Sequence, residues 1–269
     1  MNAPHVFTLP DIQSQADLRQ LPIQAVGIKA IRYPLNIRSG AMEHATIADW
    51  SLSVALPAEV KGTHMSRFIE LLEQPAAALD QAGFIELTRH MLQRLQAISG
   101  AIEARFPYFI RKAAPVSGVS SLLDVNVGWR CEISSDGRVS FAQKLQVAAT
   151  SLCPCSKQIS AYGAHNQRSH IRIDATLNAA LSIEEQVALA EDNASCQVYG
   201  LLKRVDEKHV TERAYDNPKF VEDLVRDVAQ ALQREPRISR YSIEVENYES
   251  IHNHSAFARI SSGAEQTSA

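Results

Sequence analysis

Apolar residues follow a two-residue period through much of the chain and a helical period in between. From Ile23 to Ile37 the pattern is extended: Val26, Ile28, Ala30 and Ile31 sit close together, and Tyr33-Pro34 disfavours a helix. From Ile47 to Leu56 it alternates, with Trp50, Leu52, Val54 and Leu56 on one face. These runs predict an antiparallel pair. Met65, Phe68, Ile69, Leu71 and Leu72 then recur at helical spacing, as do Ile85, Leu87, Met91, Leu92, Leu95 and Ile98, with Pro75 and Gly83 as punctuation. Extended segments return at Tyr108 to Ala113 and Ser120 to Ile133. Asp11 to Gln20, ahead of the first strand, reads as an extension with helical potential.

After the tight-turn signal Ser134-Ser135-Asp136-Gly137 the same order of elements repeats. Val139 to Ala149 and Ser169 to Leu177 read as strands, and Ser182 opens a helix with Glu185 at the capping-box position. Pro218 to Arg234 is a second helix, and Ile238 to Tyr248 and Ala256 to Ser261 are strands. The fold class is therefore α+β, built from two ββααββ units with antiparallel sheets. Residues 1–22 form an extension, 23–134 the first unit, 135–261 the second, and 262–269 a flexible tail. A sheet of this kind has two open edges that need partners, so a symmetric homo-oligomer is expected.

Composition narrows the class without naming a function. Of 269 residues, 45% are hydrophobic and 21% charged, an ordinary soluble profile. A formal net charge of −3 points to neither nucleic acid nor membrane. The four cysteines, Cys131, Cys153, Cys155 and Cys196, form no disulfide-scaffold pattern, which favours a reducing cytoplasm. Met1 to Pro10 lacks the features of a signal peptide, and no apolar run is long enough to span a bilayer.

The chemistry is concentrated in the second half. Ser151-Leu152-Cys153-Pro154-Cys155-Ser156-Lys157 precedes Tyr162-Gly163-Ala164-His165-Asn166-Gln167-Arg168-Ser169. Cys153 and His165 are twelve positions apart, with proline and glycine between them to let the chain turn. Thiolate and neutral imidazole are soft ligands for a zinc-like divalent ion, and no zinc-finger spacing completes a closed site. An open catalytic metal is one reading, and a reducible Cys153–Cys155 pair is another. Val205-Asp206-Glu207-Lys208-His209 and Glu246 to His254 supply further carboxylates and imidazoles, either as a solvated loop or as ligands and acid/base groups. Glu249 and His252, three apart, can share one pocket. Glu222 lies in the first turn of a helix, where the dipole favours its charge and its two oxygens can accept a guanine edge.

Taken together, Ser-Leu-Cys-Pro-Cys-Ser-Lys, Tyr-Gly-Ala-His-Asn-Gln-Arg-Ser, Phe-Val-Glu-Asp and Glu-Ser-Ile-His resemble the type IB GTP cyclohydrolase I family from Ile23 to Ser261. The resemblance implies a bimodular tunnelling fold (T-fold), its units assembling into barrels in a homotetramer with active sites at subunit interfaces. It implies hydrolysis of GTP at C8 to 7,8-dihydroneopterin triphosphate and formate, feeding tetrahydrofolate and queuosine synthesis. It implies one divalent ion per site, Mn²⁺, Fe²⁺ or Zn²⁺. Carried over by position, Cys153, His165, Glu207 and His252 match metal ligands, with His252 as ligand or proton shuttle. Glu249 matches an acid/base, Glu222 the purine anchor, and Cys155 a second thiol near the substrate. Lys157, Arg168 and His170 are triphosphate candidates by charge and position, as are Lys29 or Arg32. Two alternatives use the same fold: a nitrile reductase with a nucleophilic cysteine, and a non-catalytic purine- or metal-binding protein.

Overall fold

The computed structural model describes residues 11, 13, 15–73 and 77–262. Strands β1 (Ile23–Ser39), β2 (Met42–Leu56), β3 (Gly100–Ala113), β4 (Ser120–Ile133), β5 (Val139–Leu152), β6 (Asn166–Leu177), β8 (Ile238–Tyr248) and β9 (Ser255–Ser261) lie side by side in that order. The short β7 (Cys196–Gln197) adds to the end of β5, and every pairing between these strands is antiparallel. The sheet runs unbroken through the middle of the chain because the 134–137 turn folds β5 directly onto β4. Gly137 takes the left-handed conformation there (φ 79°), and Ser134 N–H donates to the Arg138 carbonyl at 3.0 Å.

Alternation gives the sheet two unlike faces. One carries Trp50, Phe106, Trp129, Phe141, Ile173 and Val245, all buried. Helices α2 (Gln81–Leu95), α4 (Ile183–Glu191) and α6 (Val221–Arg234) carry the apolar side chains that meet it. Phe84 of α2, fully buried, sits 5.9 Å from Trp50, 5.7 Å from Trp129 and 6.0 Å from Phe141, ring centre to ring centre. The opposite face is polar. Asp49, Arg105, Lys144, Arg172, Glu244 and Arg259 line a concavity of about 680 Å³.

Local signals set the helix boundaries. Asp80 caps α2 by accepting from Gly83 N–H at 2.8 Å. Ser182 and Glu185 form the reciprocal capping box on α4 that their spacing predicts, at 3.1 and 2.9 Å. α1 (Ser66–Leu72) contributes Phe68 and Leu71 to the core.

Several expectations change. The described residues of 11–20 form turns and a bridge from Ala16 to Val60 rather than a helix. The segment holding Val205 to His209 is not a loop: it opens helix α5 (Arg204–Asp216). Its only buried residues are Asp206 and Ala214, an apolar stripe too thin to show as a helical period. A further short helix, α3 (Pro154–Ile159), links β5 to β6, with proline in its first turn. Met1 to Pro10, Pro75 and the tail from 263 lie outside the described residues.

Candidate active site

Register brings the motif residues together. β5 and β6 pair from Phe141↔Leu177 to Leu152↔Asn166. One step beyond the last pair, Cys153 N–H donates to the His165 carbonyl at 3.3 Å. The chain between them folds away as α3, so the thiol-bearing and imidazole-bearing residues face each other across the end of a ladder. Cys153 and His165 are half-buried, whereas Cys155, on α3, is exposed. All four cysteines are free thiols.

Three other segments converge on this strand end. The loop after β8 approaches β6, where Ser250 Oγ lies 3.0 Å from His165 Nδ1 and Gln167 Nε2 donates to Glu249 Oε1 at 3.2 Å. The entry to α6 docks on β5, where Lys219 N–H donates to the Leu152 carbonyl at 3.1 Å. This fastens the chain two residues ahead of α6 to the residue that precedes Cys153, and Glu222 follows in the first turn of the helix. Asp223 performs the local capping, accepting from Phe220 N–H at 3.1 Å. Glu222 is left exposed, without a hydrogen bond or ion pair among the described residues.

Helix α5 is the third. Val210 and Ala214 pack on Leu152, Cys196 and Ala164, so the helix rests on the immediate neighbours of Cys153 and His165. Glu207 lies one turn before Val210 on the same face, exposed beside Arg204 and Thr211. The buried Asp206 carboxylate fixes the start of α5. It accepts from Val116 N–H (2.9 Å), Ser117 N–H (2.8 Å), Ser117 Oγ (2.6 Å) and Lys203 N–H (2.8 Å). Burial opposes its charge, but these four bonds outweigh it and hold the carboxyl well below the usual carboxylate range.

The donor chemistry suits a borderline-soft divalent ion at Cys153 and His165. The Ser250 hydroxyl at Nδ1 orients the imidazole and leaves Nε2 open, the usual outer-sphere arrangement for a ligand histidine. Among the described residues of one chain, no three His, Cys, Asp or Glu side chains gather into a metal-holding group. Glu207 and His252 are therefore not joined to the pair within the protomer. His252 instead stacks on His254, ring centres 5.1 Å apart, in an exposed loop.

The cationic candidates separate. Lys157 Nζ sits 4.2 Å over the Tyr215 ring and donates to the Tyr215 carbonyl, tying α3 to the end of α5. His170 packs against Tyr248 and contacts Gln146, and burial together with the charges of Arg172 and Arg168 lowers its pKa. Arg32 pairs with Asp49 at 3.1 Å. Lys29 precedes Ala30, which has a positive φ of 55° at a bulge in the edge strand β1. Arg168 is exposed in a cavity of about 200 Å³ with Thr150, Asn166, Gln197 and Tyr199, and carries no ion pair among the described residues. Sequence reasoning missed Ser250, Gln167 and Asp206. The one available signal was the spacing of two between His165, just ahead of β6, and Gln167 on it, which sets two side chains toward one side where the chain is extended.

Known proteins resemble this chain along nearly its whole length. A family described as "Type I GTP cyclohydrolase folE2" matches residues 9–258. GTP cyclohydrolase FolE2 of Azoarcus sp. is 56% identical over 262 residues, covering 97% of this chain and 97% of that protein. GTP cyclohydrolase FolE2 of Paraburkholderia phymatum is 57% identical over 257 residues, covering 95% and 96%. Among solved structures, uricase from Arthrobacter globiformis matches with a TM-score of 0.52 at 8% identity, covering 90% of this chain and 94% of that one. At that identity the likeness speaks to fold alone, an antiparallel-sheet α+β architecture of the tunnelling type. No helix among the described residues is long and apolar enough to cross a membrane.

Proposed function

The chain belongs to the type I GTP cyclohydrolase FolE2 family, and from that membership we propose that the strand end shared by Cys153 and His165 is where its reaction is carried out. The enzyme is a GTP cyclohydrolase: it converts GTP and water to 7,8-dihydroneopterin triphosphate and formate, a step of folate biosynthesis. The observation that carries the site assignment is the Cys153–His165 junction, onto which α5, the α6 entry and the Glu249–Ser250 loop all converge.

Each residue then has a task. The Glu222 carboxylate accepts the two parallel N–H groups of the guanine edge, which fixes the ring and determines where C8 lies. Cys153 and His165 would hold a divalent ion; Glu207, and His252 as ligand or shuttle, do not join them within one protomer and would complete the site only on rearrangement or assembly. When bound, such an ion supplies Lewis acidity and a water of lowered pKa. Glu249, or His252 where it is not a ligand, delivers the proton taken up by a ring nitrogen as the C8–N9 bond breaks. Arg168, with its polar cavity, is the preferred triphosphate contact. Lys157 could serve only by leaving Tyr215, and His170 only by leaving Tyr248. Cys155 is a second thiol within reach of the substrate. The open edges at β1 and β9 support assembly of several copies, with a tetramer the form we favour.

The test is turnover of GTP by protein stripped with chelator, then resupplied separately with Mn²⁺, Fe²⁺ or Zn²⁺ under reducing conditions. The expected result is oxidisable pterin and formate restored by at least one ion. No product with any ion would overturn the metal assignment.

A further inference from the structure

Gln167 is 8% exposed at the mouth of the site. Its Nε2 donates to Glu249 Oε1 at 3.2 Å, while its own Oε1 is buried with no hydrogen-bond partner among the described residues. Glu249 is acceptor-only when ionised, so the end of the carboxamide that meets it is the nitrogen. The orphaned oxygen is the consequence. A buried carbonyl without a donor is costly, and an apolar side chain of the same length would avoid that cost. Stability therefore does not account for a glutamine at this position.

The surroundings suggest what does. His165, just ahead of β6, and Gln167, on β6, lie two apart and hold consecutive loop residues, His165 meeting Ser250 and Gln167 meeting Glu249. The 249–254 segment forms no regular element, so these two contacts on its first residues supply much of its anchorage. Behind Gln167, Ser151, Ser169 and Asn247 form a buried hydrogen-bonded chain, with both oxygen–oxygen distances 2.6 Å. This chain ties β5, β6 and β8 into a rigid platform under the glutamine.

We propose that Gln167 is a positioning residue, whose Nε2–H holds the Glu249 carboxylate in the orientation that proton transfer to the purine requires. The proposal rests on the acid/base reading of Glu249. Gln167 does not touch the substrate and acts through Glu249 alone.

The experiment is a double-mutant cycle with Gln167→Met, Glu249→Gln and both together, on the metal-loaded enzyme, with thermal melting of each protein. Gln167→Met is expected to lower kcat about 10- to 100-fold, the scale of one hydrogen bond to a charged group. KM should change little, and Tm should stay level or rise. A structural glutamine would instead lose Tm along with kcat. In the Glu249→Gln background, Gln167→Met should cause no further loss, since the two act as one unit. Gln167→Glu keeps the shape, removes the donor and sets like charges together, so its kcat should fall at least as far. Wild-type kcat in Gln167→Met, or the same fold loss in both backgrounds, overturns the proposal. If Glu249→Gln itself keeps full kcat, it is the reading of Glu249 that fails, and the role of Gln167 falls with it.

Discussion

Lys112 on β3 reaches Glu191 at the end of α4 at 2.6 Å, with both side chains about nine-tenths buried. The ammonium also donates to the Val198 carbonyl at 3.0 Å and lies 4.6 Å over the Tyr199 ring. The pair fastens the first half of the chain to the second. So do Asp206 on the 116–117 turn and Glu184 on Ser39 and Tyr108. Burial raises the Glu191 pKa, and Lys112 pulls it back. Lys112→Met leaves that carboxylate buried and alone, which should destabilise the protein by about 3–5 kcal/mol. Because a raised carboxyl favours the folded state when protonated, the variant should recover stability as the pH is lowered toward 5. Urea melts at two pH values would check this, and an unchanged midpoint at neutral pH would refute it.

The Cys153–His165 pair makes a sharper prediction. Cys153→Ala and His165→Ala should each lower metal-dependent turnover by more than about 100-fold and weaken ion binding. Ser250→Ala, which removes only the partner of His165 Nδ1, should weaken ion binding about 10- to 100-fold. Titration with Mn²⁺, following free ion by electron paramagnetic resonance, separates the three. Full ion binding in Cys153→Ala and His165→Ala would remove the pair from the metal site.

Glu222 is exposed and structurally idle, since Asp223 does the capping. Glu222→Ala should therefore leave Tm within about 2 °C while raising the KM for GTP at least about tenfold, a loss consistent with charge-assisted hydrogen bonds to a purine edge. Steady-state kinetics beside a melting curve would decide it. A normal KM would show that the guanine is held elsewhere.

A pH effect unrelated to catalysis is expected at the end of α6. The Arg237 guanidinium holds the Glu235 carboxyl down to about 2, from an ordinary value of 4.5. A depressed carboxylate stabilises the fold above its unfolded pKa and loses that contribution as the pH falls from about 4.5 toward 2. Arg237→Ala should flatten this part of the acid-unfolding profile. The pair faces solvent in part, so the neutral-pH effect should be under about 1 kcal/mol.

Legibility varied with how local the signal was. β8 begins and ends at Ile238 and Tyr248, where alternation puts it, and the Ser182–Glu185 capping box is present as its spacing predicts. β3 begins at Gly100, well before Tyr108, because Ala101, Ile102 and Ala104 gain their strand character from pairing with β2 and β4. α5 was hidden among charges. Its stability comes from Asp206 gripping a turn some ninety residues earlier and from two small apolar contacts, Val210 and Ala214. Lys157 looked like a free cation in sequence and is engaged with Tyr215 in the fold.

Sequence alone determined the periodicities, the caps, the central turn and the residue types able to do the chemistry, since each is settled within a few positions of itself. Tertiary structure decided which of those residues meet. Cys153 faces His165 because twelve cross-strand pairs fix the β5–β6 register, and a slip of one residue would turn Gln167 from the buried face to the other. Glu249 meets Gln167 across eighty-two positions of chain. No local pattern carries such a contact, because it depends on the packing of strands whose partners are chosen by the whole sheet.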